Sequence, residues 1–487
     1  LGSLDPRTPV LVGVGVDSEH AEASDLMVGA LEAAVSDAGV STLATMIDRL
    51  AVPQGSWNYP DPARLVAERV GATGARTHLY ELGIPQQTAI NDALQAIMTG
   101  ESEVAVVAGG EAKLWARDLE RAGGSAAETV QDGAVPDVVH RRPGPLLEPV
   151  EVAHRLWDPV QQYALIENAL RVAEGRTQTE HRRTIAQLWE RFNQVARSNP
   201  RAAFPAPMDA DLLDQPSKTN RPLAFPYNKW HSTQWTVNQA AALVFCSVET
   251  ATRVGVPTDR WVFPSAGVDS SHAVSLLRRR EPNAWPAMGV LGRAVSDRIG
   301  RPLSEVEILE VYSCFPAAVR VQQRELGLDP RSTPTVTGGM AFAGGPFNNF
   351  VLQSMVDVVE KLRADPGALG AVTTVSGLLT KPGIGVWSGH PDGLPPLVAD
   401  LGAAAEKETA TVGVIESLDG YAGDATVVTY TVTFDGMDPV RTVVLCETPS
   451  RIRCVAISDD SDLAERAIIH ELIGARVRVA AGRFDLV

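Results

Sequence analysis

The chain has 487 residues, 45% of them hydrophobic, and a formal net charge of −16, so it exceeds one ordinary domain and allows two or three cores. The acidic balance excludes a nucleic-acid partner, whose phosphates would be repelled over the whole surface, but not a polyphosphate ligand held by a local basic patch. No run reaches the roughly 20 apolar residues of a membrane helix, and the start lacks the charged-then-apolar pattern of a signal peptide, so no membrane partner and a cytoplasmic location are expected; Leu1-Gly2-Ser3 reads as a cloning remnant.

In chain order, Val10 to Val16 reads as a short apolar strand and Asp25 to Ala38 as a helix stopped by Gly39. Ile47 to Val52 is strand-like, Ala63 to Val70 helical, and Thr77 to Leu82 extended before Gly83. The helix Thr88 to Thr99 and the strand from Glu103 to Glu111 follow. This alternation predicts a mixed sheet with helices on its faces. From Lys113 to Phe225 strand signals are lacking, with a loop expected from Gly123 to Pro149. Two helices stand out there: Pro159 to Ala173, and Thr179 to Arg197 with Thr179 as its cap. Arg260 to Phe263 reads as the start of a second half, Pro286 to Ile299 as a helix and Glu307 to Tyr312 as a strand. Val351 to Arg363 is helical and Ala371 to Val375 extended. The helix-then-strand pairs at 86–108 and 347–375 have similar lengths, as a duplicated core would show. After about Leu401 come β-rich runs at Ala410 to Ile415, Thr426 to Phe434, Arg441 to Cys446, Ile452 to Ile457 and Arg476 to Val479, with one helix from Ala464 to Ile473. They suggest a small antiparallel β-barrel, OB-like in plan. Its seven arginines stand against thirteen carboxylates from Glu408 onward, a poor fit to the nucleic-acid use of such barrels.

The order of these segments resembles the thiolase superfamily. In that family a Cys opens a helix that Ala-Ile-x-x-Gly closes; here Ala96-Ile97-Met98-Thr99-Gly100 sets the register and places Gly83 at the Cys. Glu310-Val311-Tyr312-Ser313-Cys314-Phe315 is similar to the Glu-Val-His-Asp-Cys-Phe segment of the sterol-carrier-type (acetyl-CoA acetyltransferase-like) branch. Gly338 to Pro346 matches Gly-Gly-x-x-x-x-Gly-His-Pro with Gly345 at the His, and Val375-Ser376-Gly377 falls where a second Cys is expected. The literal Gly389-His390-Pro391 comes too late in the chain and reads as a decoy loop. The resemblance, which covers roughly residues 8 to 400, implies an α/β fold: a duplicated five-layer core, a helical loop insertion over a cofactor, and a helix after that insertion, to which Trp235 to Val244 is similar; the C-terminal β-barrel lies outside it and does not resemble the sterol-carrier module that some thiolases append. The corresponding divisions are 6–112 with 226–256, 113–225, 257–400 and 408–487. It also suggests a dimer built by pairing edge strands near Thr77 to Leu82.

Claisen chemistry needs a thiolate to hold the acyl group, a base for the α-proton and an oxyanion hole. Glycine supplies neither thiolate nor base, and glycines at 83 and 345 are expected to enlarge the pocket. Of Gln86, Gln87 and Thr88, amides are not nucleophiles and no base is evident beside Thr88. The catalytic candidates that remain are Tyr312 and Cys314. A tyrosine hydroxyl donates a hydrogen bond but is a poor base at neutral pH, and Cys314, like Cys246, Cys446 and Cys454, also reads as a core thiol. The cysteines show no C-x-x-C spacing, so no metal site and no disulfide framework are indicated. For CoA phosphates the insertion offers His181, Arg182, Arg183, Arg197, Arg201 and Lys218. The better candidates are Arg221 and Lys229, in a segment that joins the insertion to the core and includes Tyr227 and Trp230 for an adenine face. Three functions stay open: a thiolase-like protein of lipid metabolism that binds CoA or acyl-CoA without ordinary turnover and needs no other cofactor; an acyltransferase or thioester hydrolase using Tyr312, Ser313 or Cys314; and a scaffold subunit whose barrel docks a protein partner.

Overall fold

The computed structural model describes residues 4–145 and 147–487. Two sheets face each other across a pair of central helices. The first runs in the order Pro9–Asp17, Asn238–Ser247, Val104–Ala112, Arg49–Pro53, Arg76–Tyr80, Val138–His140. The second runs Ile308–Glu310, Leu369–Ser376, Lys381–Ser388, Phe263–Asp269, Leu397–Asp400. Helices Gln86–Thr99 and Phe350–Ala364 lie between them, while Ala23–Asp37 covers the outside of the first sheet and Pro286–Ile299, with Gly402–Val412, the outside of the second. The result is helix, sheet, helix, sheet, helix, the five layers expected of the duplicated α/β core.

Three elements correct the sequence reading. The helix expected at Trp235 to Val244 is a strand, Asn238–Ser247, buried at every position and paired antiparallel on both sides. Its alanines favour helix in isolation, but small side chains also suit a strand squeezed between two helical layers, and tertiary pairing overrides propensity. The strand expected at Ala410 to Ile415 is instead the end of helix Gly402–Val412, stopped at Gly413 with φ near 108°. Helix Gln178–Ala196 starts one residue before Thr179; its cap is Thr177, in a capping box with Glu180.

The stretch read as strandless contains Val138–His140, which pairs in parallel with Arg76–Tyr80. Glu81 N–H continues the ladder onto His140 O at 3.0 Å. The edge that the resemblance offers to a second copy is therefore taken by the chain itself. Tyr80 and His140 stack at 3.9 Å and hold the added strand in place.

The C-terminal strands pair around a ring. Gly423–Asp435 pairs with Asp438–Glu447, that with Arg453–Ser458, that with Arg483–Leu486, that with Arg476–Ala480, which returns to Gly423–Asp435. This region is bonded to the insertion helices. Asn168 Nδ2, on helix Pro159–Ala173, donates to Phe225 O at 3.1 Å and Tyr430 O at 2.9 Å. Thr429 Oγ1 donates to Leu165 O at 2.6 Å, and the hairpin strand Pro222–Ala224 adds to the same sheet. Arg453, fully buried, donates to the carbonyls of Arg279 and Arg280 in the second half.

Candidate functional site

The two central helices begin close together, and Gln86 ties them. Its Oε1 accepts from Val351 N at 2.8 Å and its Nε2 donates to Asn348 Oδ1 at 3.1 Å. Asn348 in turn donates to Gln54 O at 3.2 Å, while Gln54 Oε1 accepts from Leu82 N at 3.0 Å, just before Gly83. Gly83, the position that the resemblance gives to the nucleophile, lies at this junction.

Glycine stands at both positions that the resemblance gives to the nucleophile and to the His, Gly83 and Gly345. Gly83 sits at φ 99°, a conformation that strains any L side chain, so the backbone here is built for glycine. At Gly345 the expectation of an enlarged pocket is wrong. A Cβ there would collide with the Thr233 methyl and lie 3.4 Å from Met340 Cβ, so the space is already filled. Thr233 is held in place by its N–H and Oγ1, which donate to Cys314 O at 3.1 and 3.2 Å.

Tyr312, Ser313 and Cys314 lie in the packed interior before helix Pro316–Glu325. Burial pushes the Cys314 thiol up to about 12, although a hydrogen bond with Tyr163 pulls the other way, so it is a neutral thiol at physiological pH. Burial raises the Tyr312 phenol well above its ordinary value. Its ring stands edge-on to Phe350, and Ser313 Oγ is spent accepting from Met340 N at 3.1 Å. The structure thus groups the sequence candidates in the packed interior, where burial holds both Tyr312 and Cys314 in the neutral form. His390 lies exposed in the loop after strand Lys381–Ser388.

A second polar cluster escaped the sequence. Thr88, Asn91, Asp92 and Gln95 form the face of helix Gln86–Thr99 turned away from Gln86, and they line a cleft of about 440 Å³ with Gly83, Asp269 and Lys381. Thr88 Oγ1 donates to Asp269 Oδ2, and Asn91 Nδ2 donates to Asp269 Oδ1 at 3.1 Å. The carboxylate that sequence reading found missing beside Thr88 comes from the end of strand Phe263–Asp269, in the other half of the chain. Burial raises the Asp269 carboxyl to about 6 despite the Thr88 bond, with nearby Asp400 adding to the rise. The helix can approach this sheet with polar side chains because the sheet offers glycines: a Cβ on Gly383 would lie 2.6 Å from Gln87 Cβ, and one on Gly385 would lie 2.8 Å from Gln87 Oε1. The Gly-x-Gly run at 383–385 was the only local sequence signal.

Among the basic residues proposed for CoA, several are bound by carboxylates: His181 by Glu167 at 2.7 Å, Arg182 by Asp214 at 3.0 Å, Arg183 by Asp211, and Arg201 by Asp357 at 3.1 Å. Tyr227 is fully buried with its hydroxyl on Glu167 Oε2 at 2.6 Å, and Trp230 stacks on Phe342, so neither presents a free face to adenine. Arg221 and Lys229 make no ion pair among the described residues. They are neighbours, Lys229 N–H donating to Arg221 O at 2.8 Å, and Lys229 Nζ lies 4.7 Å over the Trp230 ring. Among the described residues no group of side chains could hold a metal ion, and no helix is long and apolar enough to cross a membrane.

Residues 405–483 match the family model described as "Thiolase-like protein type 1 additional C-terminal domain". Over 99% of this chain and 100% of its own, the crystal structure of a monomeric SCP2-thiolase like protein type 1 from Mycobacterium smegmatis superposes with a TM-score of 0.84 at 28% identity. An acetyl-CoA acetyltransferase from Syntrophomonas wolfei matches 80% of this chain and 100% of its own, with a TM-score of 0.58 and 18% identity. The Ltp2-ChsH2(DUF35) aldolase matches 80% of this chain and 99% of its own, with a TM-score of 0.59 and 17% identity. No curated protein matches the sequence.

Proposed function

We propose that this chain, which has the fold of the thiolase superfamily, binds a CoA thioester without carrying out thiolysis. The observation that carries the reading is the Thr233 methyl in the space of a side chain at Gly345, beside a nucleophile position that is Gly83. A site that had only lost its residues would leave voids; here the scaffold has repacked around the loss, as close-packed interiors require. The neutral, enclosed Cys314 supports the same reading against an acyltransferase or hydrolase built on Tyr312, Ser313 or Cys314. Arg221 and Lys229, free of carboxylate partners and adjacent on the hairpin between insertion and core, are the groups we assign to the CoA phosphates.

The C-terminal module is, in this reading, an internal buttress rather than a dock for a protein partner. Its inner face is spent on Asn168, Leu165 and Phe225 of the same chain. The relative from Mycobacterium smegmatis is described as monomeric, and the strand Val138–His140 supports the same state here. A cytoplasmic role in lipid metabolism belongs to the proposal.

Calorimetric titration with CoA, acetyl-CoA and a long-chain 3-ketoacyl-CoA, followed by chromatography of the recovered ligand, tests it. Saturable binding with intact ligand, weakened by Arg221→Ala and Lys229→Ala, is the expected result. Thiolysis or hydrolysis products, or no binding, would overturn it.

A further inference from the structure

The cleft beside Thr88 contains a cation without an anion. Lys381 is 5% exposed and lines the cleft, yet its ammonium makes no hydrogen bond and no ion pair among the described residues. Burial lowers its pKa and the charge of Arg142 lowers it further, with no carboxylate acting in the opposite sense. Its stem is packed while its Nζ is not among the fully buried polar atoms, so the ammonium opens onto the cleft, where an anion would replace water as its acceptor. Lys381 shares a sheet face with Asp269: it lies two positions before Gly383, which pairs directly with Asp269. The unpaired cation and the Thr88–Asp269 pair therefore address one space.

The charges around that space select the occupant. Arg141 is bound to Glu81 at 2.9 Å, and Arg142 donates to the carbonyls of Leu82 and Gly144, so Lys381 is the one cation of the cleft wall left unpaired. Burial lowers the His140 pKa and keeps its ring neutral. Asp92, Asp269 and Asp400 also line it, and would oppose a dianionic phosphate more than a singly charged carboxylate. Asp400 is engaged by Ser271 Oγ at 2.9 Å and Gly402 N at 2.7 Å. Thr88 gives its proton to Asp269, which leaves its oxygen, and the remaining lone pairs of Asp269, as acceptors facing the cleft. The cleft wall thus offers a donor in Lys381 and acceptors in Thr88 and Asp269, around a volume suited to a small molecule.

We infer that the cleft binds a small monocarboxylate bearing a hydroxyl group, its carboxylate on Lys381 Nζ and its hydroxyl donating to the Thr88–Asp269 pair. The site lies on the helix face opposite Gln86 and reaches Gly83, but Lys381 and Thr88 have no part in the CoA assignment to Arg221 and Lys229, so the two readings fail or survive separately.

Titration calorimetry of the full chain with glycerate, 3-hydroxybutyrate and gluconate, and with inorganic phosphate as the competing anion, reads the proposal. At least one hydroxy acid is expected to bind saturably, and Lys381→Met and Thr88→Val are each expected to weaken it by about tenfold or more. Removing an unpaired cation does not threaten the fold, so Lys381→Met is expected to melt no lower than the parent chain. The inference is overturned if none of the three acids binds by about 20 mM, if phosphate binds as well as they do, or if Lys381→Met binds them unchanged.

Discussion

The Thr233 methyl stands where a side chain at Gly345 would have to go. One residue lies in the connection from the insertion to the core and the other before the second central helix, so the two were free to change separately in sequence but not in space. Gly345→Ala is expected to cost about 1–3 kcal/mol by overpacking. Thr233→Ser removes the methyl while keeping the hydroxyl that bonds Cys314 O, so the double variant Gly345→Ala/Thr233→Ser should regain most of that loss. Urea unfolding of the two single variants and the double measures the coupling, and strictly additive effects would show that the two side chains do not compete for one space.

The strand Val138–His140 predicts a monomer, because it covers the Arg76–Tyr80 edge and leaves in its place an edge strand of only three residues, too short to template a second chain. Val139→Pro removes the backbone donor and fixes φ in the middle of this short strand. It is expected to leave the core folded while making the sedimentation coefficient rise with concentration. A parent chain that already sediments as a dimer would contradict the assignment of this strand as a cap.

Much of the core was legible because each local signal agreed with its surroundings. Pro286–Ile299 has proline in its first turn and Gly300 in the left-handed conformation after its end, and its limits could be read directly. Asn238–Ser247 was not legible, because an alanine-rich run has helix propensity and only its two antiparallel neighbours make it a strand. The same holds for the sites. Gly83 and Gly345 stand out against the resembling segments in the sequence, but Thr233 as the space-filler cannot be read from a line of residues. Thr88 and Asp269 are 181 positions apart, so the carboxylate beside the hydroxyl becomes visible only when the two halves of the chain are brought face to face.

Asn168 joins the insertion to the C-terminal module by one amide that donates to two carbonyls, those of Phe225 and Tyr430. Asn168→Ala leaves both carbonyls buried without this donor, a loss of about 1–3 kcal/mol. If the module is a buttress, the loss should appear as a lowered midpoint of one cooperative unfolding transition. Limited proteolysis checks the alternative: early release of an intact fragment beginning near residue 405, in the parent chain as well as the variant, would mean that the module folds and opens on its own.

Asp269 gives the cleft a pH dependence whose sign is fixed. An unperturbed aspartate titrates near 3.8, whereas burial raises this one to about 6 in the fold. The folded state holds the proton more tightly, so the stability it lends is complete below about pH 3.8 and is lost as pH rises through 6. Above that, the buried charge is a penalty of about 3 kcal/mol relative to a neutral group. Asp269→Asn keeps the shape and an acceptor for Asn91 but never ionises. Its stability relative to the parent should therefore increase between pH 4 and pH 7 by an amount of that order and stay level above. Urea unfolding at unit steps of pH tests this directly. A difference that does not change across the range would mean that Asp269 titrates alike in the folded and unfolded chains, in which case Thr88 and Asn91 face an ordinary, hydrated carboxylate.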